Sequence, residues 1–128
     1  EDGTLHGNEV PAGLLASVLP AEVMLPCVGQ GAIGIEIREK DELLEQICSK
    51  LNHHESMQCV LAERSFLAGM GGGCQSPVGA YAEIEGAQIR MRVVSFADGP
   101  VRRGEARRPI QDAVALGREL ASQMKHKS

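Results

Sequence analysis

The chain has 128 residues, 43% of them hydrophobic and 23% charged, with a formal net charge of −4. That size and balance describe a soluble domain able to bury a core without disulfide or metal staples. One Tyr, two Phe and no Trp argue against single-stranded nucleic-acid binding, which needs aromatic stacking platforms.

The charge is unevenly spread. Residues 1–85 hold 4 Lys+Arg and 13 Asp+Glu, whereas residues 86–128 hold 9 and 4. The basic part is mostly arginine, suited to bidentate carboxylate or phosphate recognition, or simply to a solvated sheet face. Four cysteines, Cys27, Cys48, Cys59 and Cys74, are separated by 20, 10 and 14 residues. No C-x-x-C pair occurs, so a structural zinc is not expected. Without a signal peptide, transit peptide or long apolar run, the expected setting is cytoplasmic, with reduced thiols and no membrane contact.

In chain order, "EDGTLHGNEV" is polar and reads as a frayed start. "AGLLASVLPAEVMLPCVGQG" is apolar but broken by Pro20 and Pro26, leaving room for a short helix and a short strand. "AIGIEIRE" alternates Ile33, Ile35 and Ile37 with Gly34, Glu36 and Arg38, a strand pattern. A helix is expected from Asp41, its N-cap, through "ELLEQICSKLN". A second follows "NHH" over about 55–67, with Met57, Val60, Leu61 and Ala68 as its apolar stripe and Arg64 within it. "VGAYAEIE", "AQIRMRVVSF" and "VRRGEARR" read as three strands separated by "EGA" and "ADGP". A last helix spans about 109–125, with Ile110, Ala113, Val114, Gly117, Leu120, Ala121 and Met124 on one side. The order predicts an α+β fold, a small three-stranded antiparallel sheet with helices packed on one face.

"GQGAIG" (Gly29, Gly31, Gly34) matches a dinucleotide fingerprint, but that chemistry requires the glycines to open a helix, and here they run into a strand pattern. "GMGGGCQSPVGAY" places Cys74 behind four glycines in six residues. One reading is a helix terminator leading into a strand; the other is a thiol on a loop shaped around a ligand. A thiol after a helix C-terminus is disfavoured as thiolate. The position suits a cysteine used once as a covalent tether better than a repeatedly cycling nucleophile, with an inert core cysteine as the alternative.

"LPCVGQGAIGIEIRE", "LNHHES", "AERSFLAGMGGGCQSPVGAYAEI" and "VRRGEARRP" together resemble the C-terminal portion of porphobilinogen deaminases, also called hydroxymethylbilane synthases. The likeness runs from Leu19 to the last helix. It departs at Cys27, where a small residue is usual, and at Gly71, commonly acidic. The resemblance implies a transferase of tetrapyrrole (haem) biosynthesis. Four porphobilinogens are joined on a dipyrromethane cofactor, with loss of ammonia, and hydroxymethylbilane is released. It implies that Cys74 carries the cofactor through a thioether beside Gly73, that Gln30 and Gly31 line the cleft near it, and that Arg64 sits at a domain junction.

The family pattern is about three domains long. Residues 1–40 then correspond to the tail of the second domain and the strand returning to the first, and residues 41–128 to the cofactor-attachment domain. The catalytic aspartate and most substrate arginines have no counterpart here, so no catalytic residue is expected in this chain and no activity from it alone. The partners implied are porphobilinogen, the growing polypyrrole chain and the missing N-terminal domains. "AIGIEIRE", orphaned from its first-domain partners, invites strand-mediated self-association. A non-enzymatic α+β binding module that keeps the domain without the catalysis is the alternative. An arginine-rich nucleic-acid binder rests on the charge asymmetry alone.

Overall fold

Asp41 starts the first helix as an N-cap should: its carboxylate accepts a hydrogen bond from the Leu44 N–H at 3.2 Å. Helix α1 is Glu42–Leu51 and α2 is His54–Gly69, the second capped by the His53 ring, which accepts from the Ser56 N–H. The structure, a computed structural model, describes residues 3, 5, 7, 9–73, 75–97 and 99–126; the side chain of 126 is not described.

Three strands follow, β1 (Val78–Glu85), β2 (Gln88–Ser95) and β3 (Arg102–Pro109), forming one antiparallel sheet in the order β1-β2-β3. Glu85 pairs with Gln88 across a two-residue turn, and Gly86 takes a positive φ of 63° there, a conformation that costs glycine little. A 3-10 turn, Ile110–Asp112, leads into α3 (Ala113–His126).

Strand alternation divides the sheet into an apolar and a charged face. Ala82, Met91 and Ala106 are in register on the inner face, as are Ala80, Val93 and Gly104. Helices α2 and α3 cover that face, and Phe66, Ile89, Met91, Leu116 and Leu120 are fully buried between the layers. This is the expected α+β fold. On the outer face Arg90 reaches Glu105 at 2.8 Å and Glu85 at 3.2 Å, Arg92 reaches Glu83 at 2.7 Å, and Arg107 reaches Glu85 at 3.0 Å. These arginines of the basic half thus form a neutralised, solvent-facing lattice.

Four expectations need correction. The apolar run 12–31 forms no helix and, apart from a single bridge residue at Leu15, no strand; it folds as turns at 12–13, 21–23 and 28–31, and Cys27 is exposed. "AIGIEIRE" is not a strand. It alternates properly, but a strand needs a neighbour to bond, and none is offered among the described residues; Ile33 is 92% exposed and Ile35 58%. The buried side of α2 is not the stripe of Met57, Val60, Leu61 and Ala68. Ala62, Glu63 and Phe66 face the core instead, while Met57, Leu61, Arg64 and Ala68 are exposed. Likewise on α3, Leu116 is fully buried and Val114 is exposed.

Candidate cofactor-tethering site

The glycines after α2 do structural work first. Gly71 takes a φ of 84°, its N–H donates to the Ala68 carbonyl, and the Gly72 N–H donates to the Leu67 carbonyl, each at 3.0 Å. This is the Schellman arrangement that closes a helix. A Cβ on Gly72 would fall 2.4 Å from the Leu67 carbonyl oxygen, so no side chain fits. Beyond it, the Ser76 N–H donates to the Gly73 carbonyl at 3.0 Å, and the Gly73 N–H donates back to the Ser76 hydroxyl at 3.3 Å. The chain thus makes a tight turn from Gly73 to Ser76 before entering β1. Cys74 itself lies outside the described residues.

Gln30 and Gly31 belong to two consecutive turns. The Gln30 N–H donates to the Cys27 carbonyl at 3.1 Å and the Ala32 N–H to the Gly29 carbonyl at 3.2 Å. Gly29 and Gly31 supply the positive φ values, 73° and 81°. No helix follows them, so the fingerprint match at Gly29, Gly31 and Gly34 has no pyrophosphate site behind it. The turns stand over a cleft of about 370 Å³ lined by Gln30, Gly31, Cys59, Glu63, Tyr81 and Ala82 among others.

A larger open groove of about 1050 Å³ adjoins it, running between residues 28–37 and the facing sides of α1 and α2. Its lining is mostly apolar, with Ile33, Ile35, Met57, Leu61 and Leu67, and Arg64 is among the few charged side chains there. Among the described residues Arg64 has no ion-pair partner. The structure therefore brings Gln30, Gly31 and Arg64 to neighbouring grooves, whereas Gly73 lines neither of them.

The strongest polar feature here is one that sequence reasoning missed. Glu63 is 7% exposed, and its carboxylate accepts from the Gly29 N–H at 2.7 Å and the Ala82 N–H at 2.9 Å. Burial pushes its pKa up, opposed by these two hydrogen bonds. The sequence carried no signal for it: Cys59, Val60, Phe66 and Leu67, its neighbours at helical spacing, include no cation, and a glutamate on a solvated face needs none. Cys59 sits in the same cleft. Burial and the charges of Glu63, Glu55 and Glu83 push its thiol up to about 11, which makes it a poor nucleophile.

A short antiparallel sheet carrying helices on one face is entered through a glycine-closed helix and the turn from Gly73 to Ser76. Residues 57–126 match the family model described as porphobilinogen deaminase, C-terminal domain. Residues 8–46 match a second, described as porphobilinogen deaminase, dipyromethane cofactor binding domain. The chain belongs to the porphobilinogen deaminase family, whose full-length members are transferases. Among the described residues, no helix is long and apolar enough to cross a membrane, and no cluster of His, Cys, Asp and Glu could hold a metal ion.

Proposed function

We propose that this chain acts as the cofactor-carrying C-terminal part of a cytoplasmic hydroxymethylbilane synthase, with residues 41–128 as the attachment domain and residues 1–40 linking it to its neighbours. The carrying observation is the family match over residues 57–126 together with the single cysteine in the Gly-Gly-Cys-Gln turn. In this reading Cys74 forms the thioether. Bound dipyrromethane would supply the free pyrrole end on which porphobilinogen units are added.

The residues present fit that cofactor in part. The described neighbours Gly73 and Ser76 make a compact turn around the tether position, and Gln30 and Gly31 offer a backbone edge over the cleft. A tetrapyrrole precursor carries acetate and propionate groups that need cations, and Arg64 is the arginine in the lining of the two grooves. Stabilising a cationic intermediate also requires a placed carboxylate, and Glu63 is committed to two backbone donors. The remaining groups come, on this account, from the preceding domains, which dock on the apolar groove beside Arg64.

A porphobilinogen-consumption assay tests this reading. The 128-residue chain alone should produce no hydroxymethylbilane. Joined to the two domains that precede it in the family, it should turn over, and Cys74→Ser should abolish that turnover. Sustained product from the chain alone, or turnover indifferent to Cys74→Ser, would contradict it.

A further inference from the structure

Strand β1 is an edge strand, and the outward-facing N–H groups of such a strand need acceptors. Two of them find partners outside the sheet. The Ala80 N–H donates to the Pro26 carbonyl at 3.1 Å, and the Ala82 N–H donates to Glu63 Oε1 at 2.9 Å. The other Glu63 oxygen, Oε2, accepts from the Gly29 N–H at 2.7 Å. One buried carboxylate therefore ties three separate pieces together: helix α2, the free edge of β1, and the turn that carries Gln30 and Gly31.

The incoming chain lies close against β1. A Cβ on Gly79 would stand 3.1 Å from the Pro26 carbonyl oxygen and 3.2 Å from that of Leu25, closer than packed side chains normally sit. Val28 packs on the core just beside the turn. Among the described residues the Glu63 hydrogen bonds go to backbone N–H groups and to no cation. Its carboxylate thus stands where a neighbouring strand's carbonyls would otherwise be.

We infer that Glu63 is a positioning residue that fixes the Gln30–Gly31 turn against the free edge of β1, so that these two residues stand over the cleft. The importance of that position for the cofactor rests on the function proposed above; the latch itself does not. A carboxamide at this site has one oxygen and one NH₂ group. It can accept from one of the two backbone donors but must oppose the other. Ala82 is held in register by the β1–β2 ladder, so the amide released should be that of Gly29.

Residue-resolved amide hydrogen exchange on the 128-residue chain, without cofactor, tests this. In Glu63→Gln, protection at Gly29 should fall at least tenfold while Met91, Leu116 and Leu120 stay within about twofold of the parent. Unchanged protection at Gly29 overturns the inference. If Glu63→Gln loses protection throughout, Glu63→Asp decides, because its carboxylate keeps the charge but is one methylene too short to span the Gly29 and Ala82 donors. Faster exchange at Gly29 with protection kept in β2 and α3 then supports the latch; no change at Gly29 overturns it. Because the readout needs no tetrapyrrole, its failure leaves the Cys74 tether standing, and failure of the tether leaves the latch standing.

Discussion

Burial and three carboxylates raise the Cys59 thiol to about 11, whereas Cys27 is exposed to reagent. Thiolate is the reactive form, so iodoacetamide at mildly alkaline pH should label Cys27 at least tenfold faster than Cys59, as followed by peptide mapping. Equal rates would show that Cys59 is open to solvent. The same carboxyl, Glu63, gives the chain a distinctive pH response. Its folded pKa lies above the ordinary 4.5, so the native state holds the proton more tightly than the unfolded one. Stability from this group is therefore present below 4.5 and is lost as pH rises through the raised folded value. Glu22, Glu85 and Glu105 have lowered pKa values, set by backbone and arginine hydrogen bonds. Their contribution has the opposite sign, lost as pH falls below 4.5. Denaturation midpoints measured across this range should thus rise on mild acidification and then fall, and Glu63→Gln should flatten the rise. A variant with the parent's acidic rise would show that the buried carboxyl does not titrate there. Glu63 was hidden in the sequence by its company, since an acid beside apolar neighbours on a helix looks like a surface residue until the face is known.

Helix α2 carries two apolar faces, and hydrophobic spacing cannot say which receives a partner. The stripe around Met57 and Leu61 is richer in large side chains, yet the core takes Ala62 and Phe66 because α3 approaches closely there. Gly117 permits that approach. A Cβ on it would lie 2.2 Å from the Ala62 carbonyl oxygen and 2.8 Å from the Phe66 nitrogen. Backbone cannot yield as a flexible side chain does, so Gly117→Ala should cost at least about 1–3 kcal/mol, the usual range for overpacking. Urea denaturation checks it; an unchanged midpoint would mean that the two helices are not in contact at Gly117. The strands were readable because their turns and alternation are local properties: Gly86 and the inner–outer rhythm of β1 and β2 are written in consecutive residues. "AIGIEIRE" has the same rhythm without a partner, and pairing is not a local property. The proposed tether at Cys74 rests on the Gly-Gly-Cys-Gln motif alone, for the local chemistry of a glycine-closed helix is equally that of a plain terminator.

At the scale of the whole molecule, the groove between residues 28–37 and the two leading helices leaves Ile33, Ile35 and Leu51 more than half exposed. Contiguous apolar surface of this kind marks an interface, which the proposed function assigns to the preceding domains. In the 128-residue chain alone the same surface should meet a second copy. Light scattering should then report a dimer or larger species that Ile35→Lys converts to monomer; a monomeric parent would contradict that association. Arg64 is exposed on this groove, so Arg64→Leu should change the stability of the chain by no more than about 0.5 kcal/mol while weakening the joined protein. A loss of several kcal/mol in the chain itself would place the partner of Arg64 within it. The central claim, that Cys74 carries the cofactor, is tested most directly by peptide mapping with mass spectrometry. The chain joined to the domains that precede it in the family would be made in cells that supply porphobilinogen. The account predicts a dipyrromethane adduct on the peptide containing Cys74 and none on those containing Cys27, Cys48 or Cys59. An adduct on Cys59, or a dipyrromethane thioether persisting in Cys74→Ser, would contradict it.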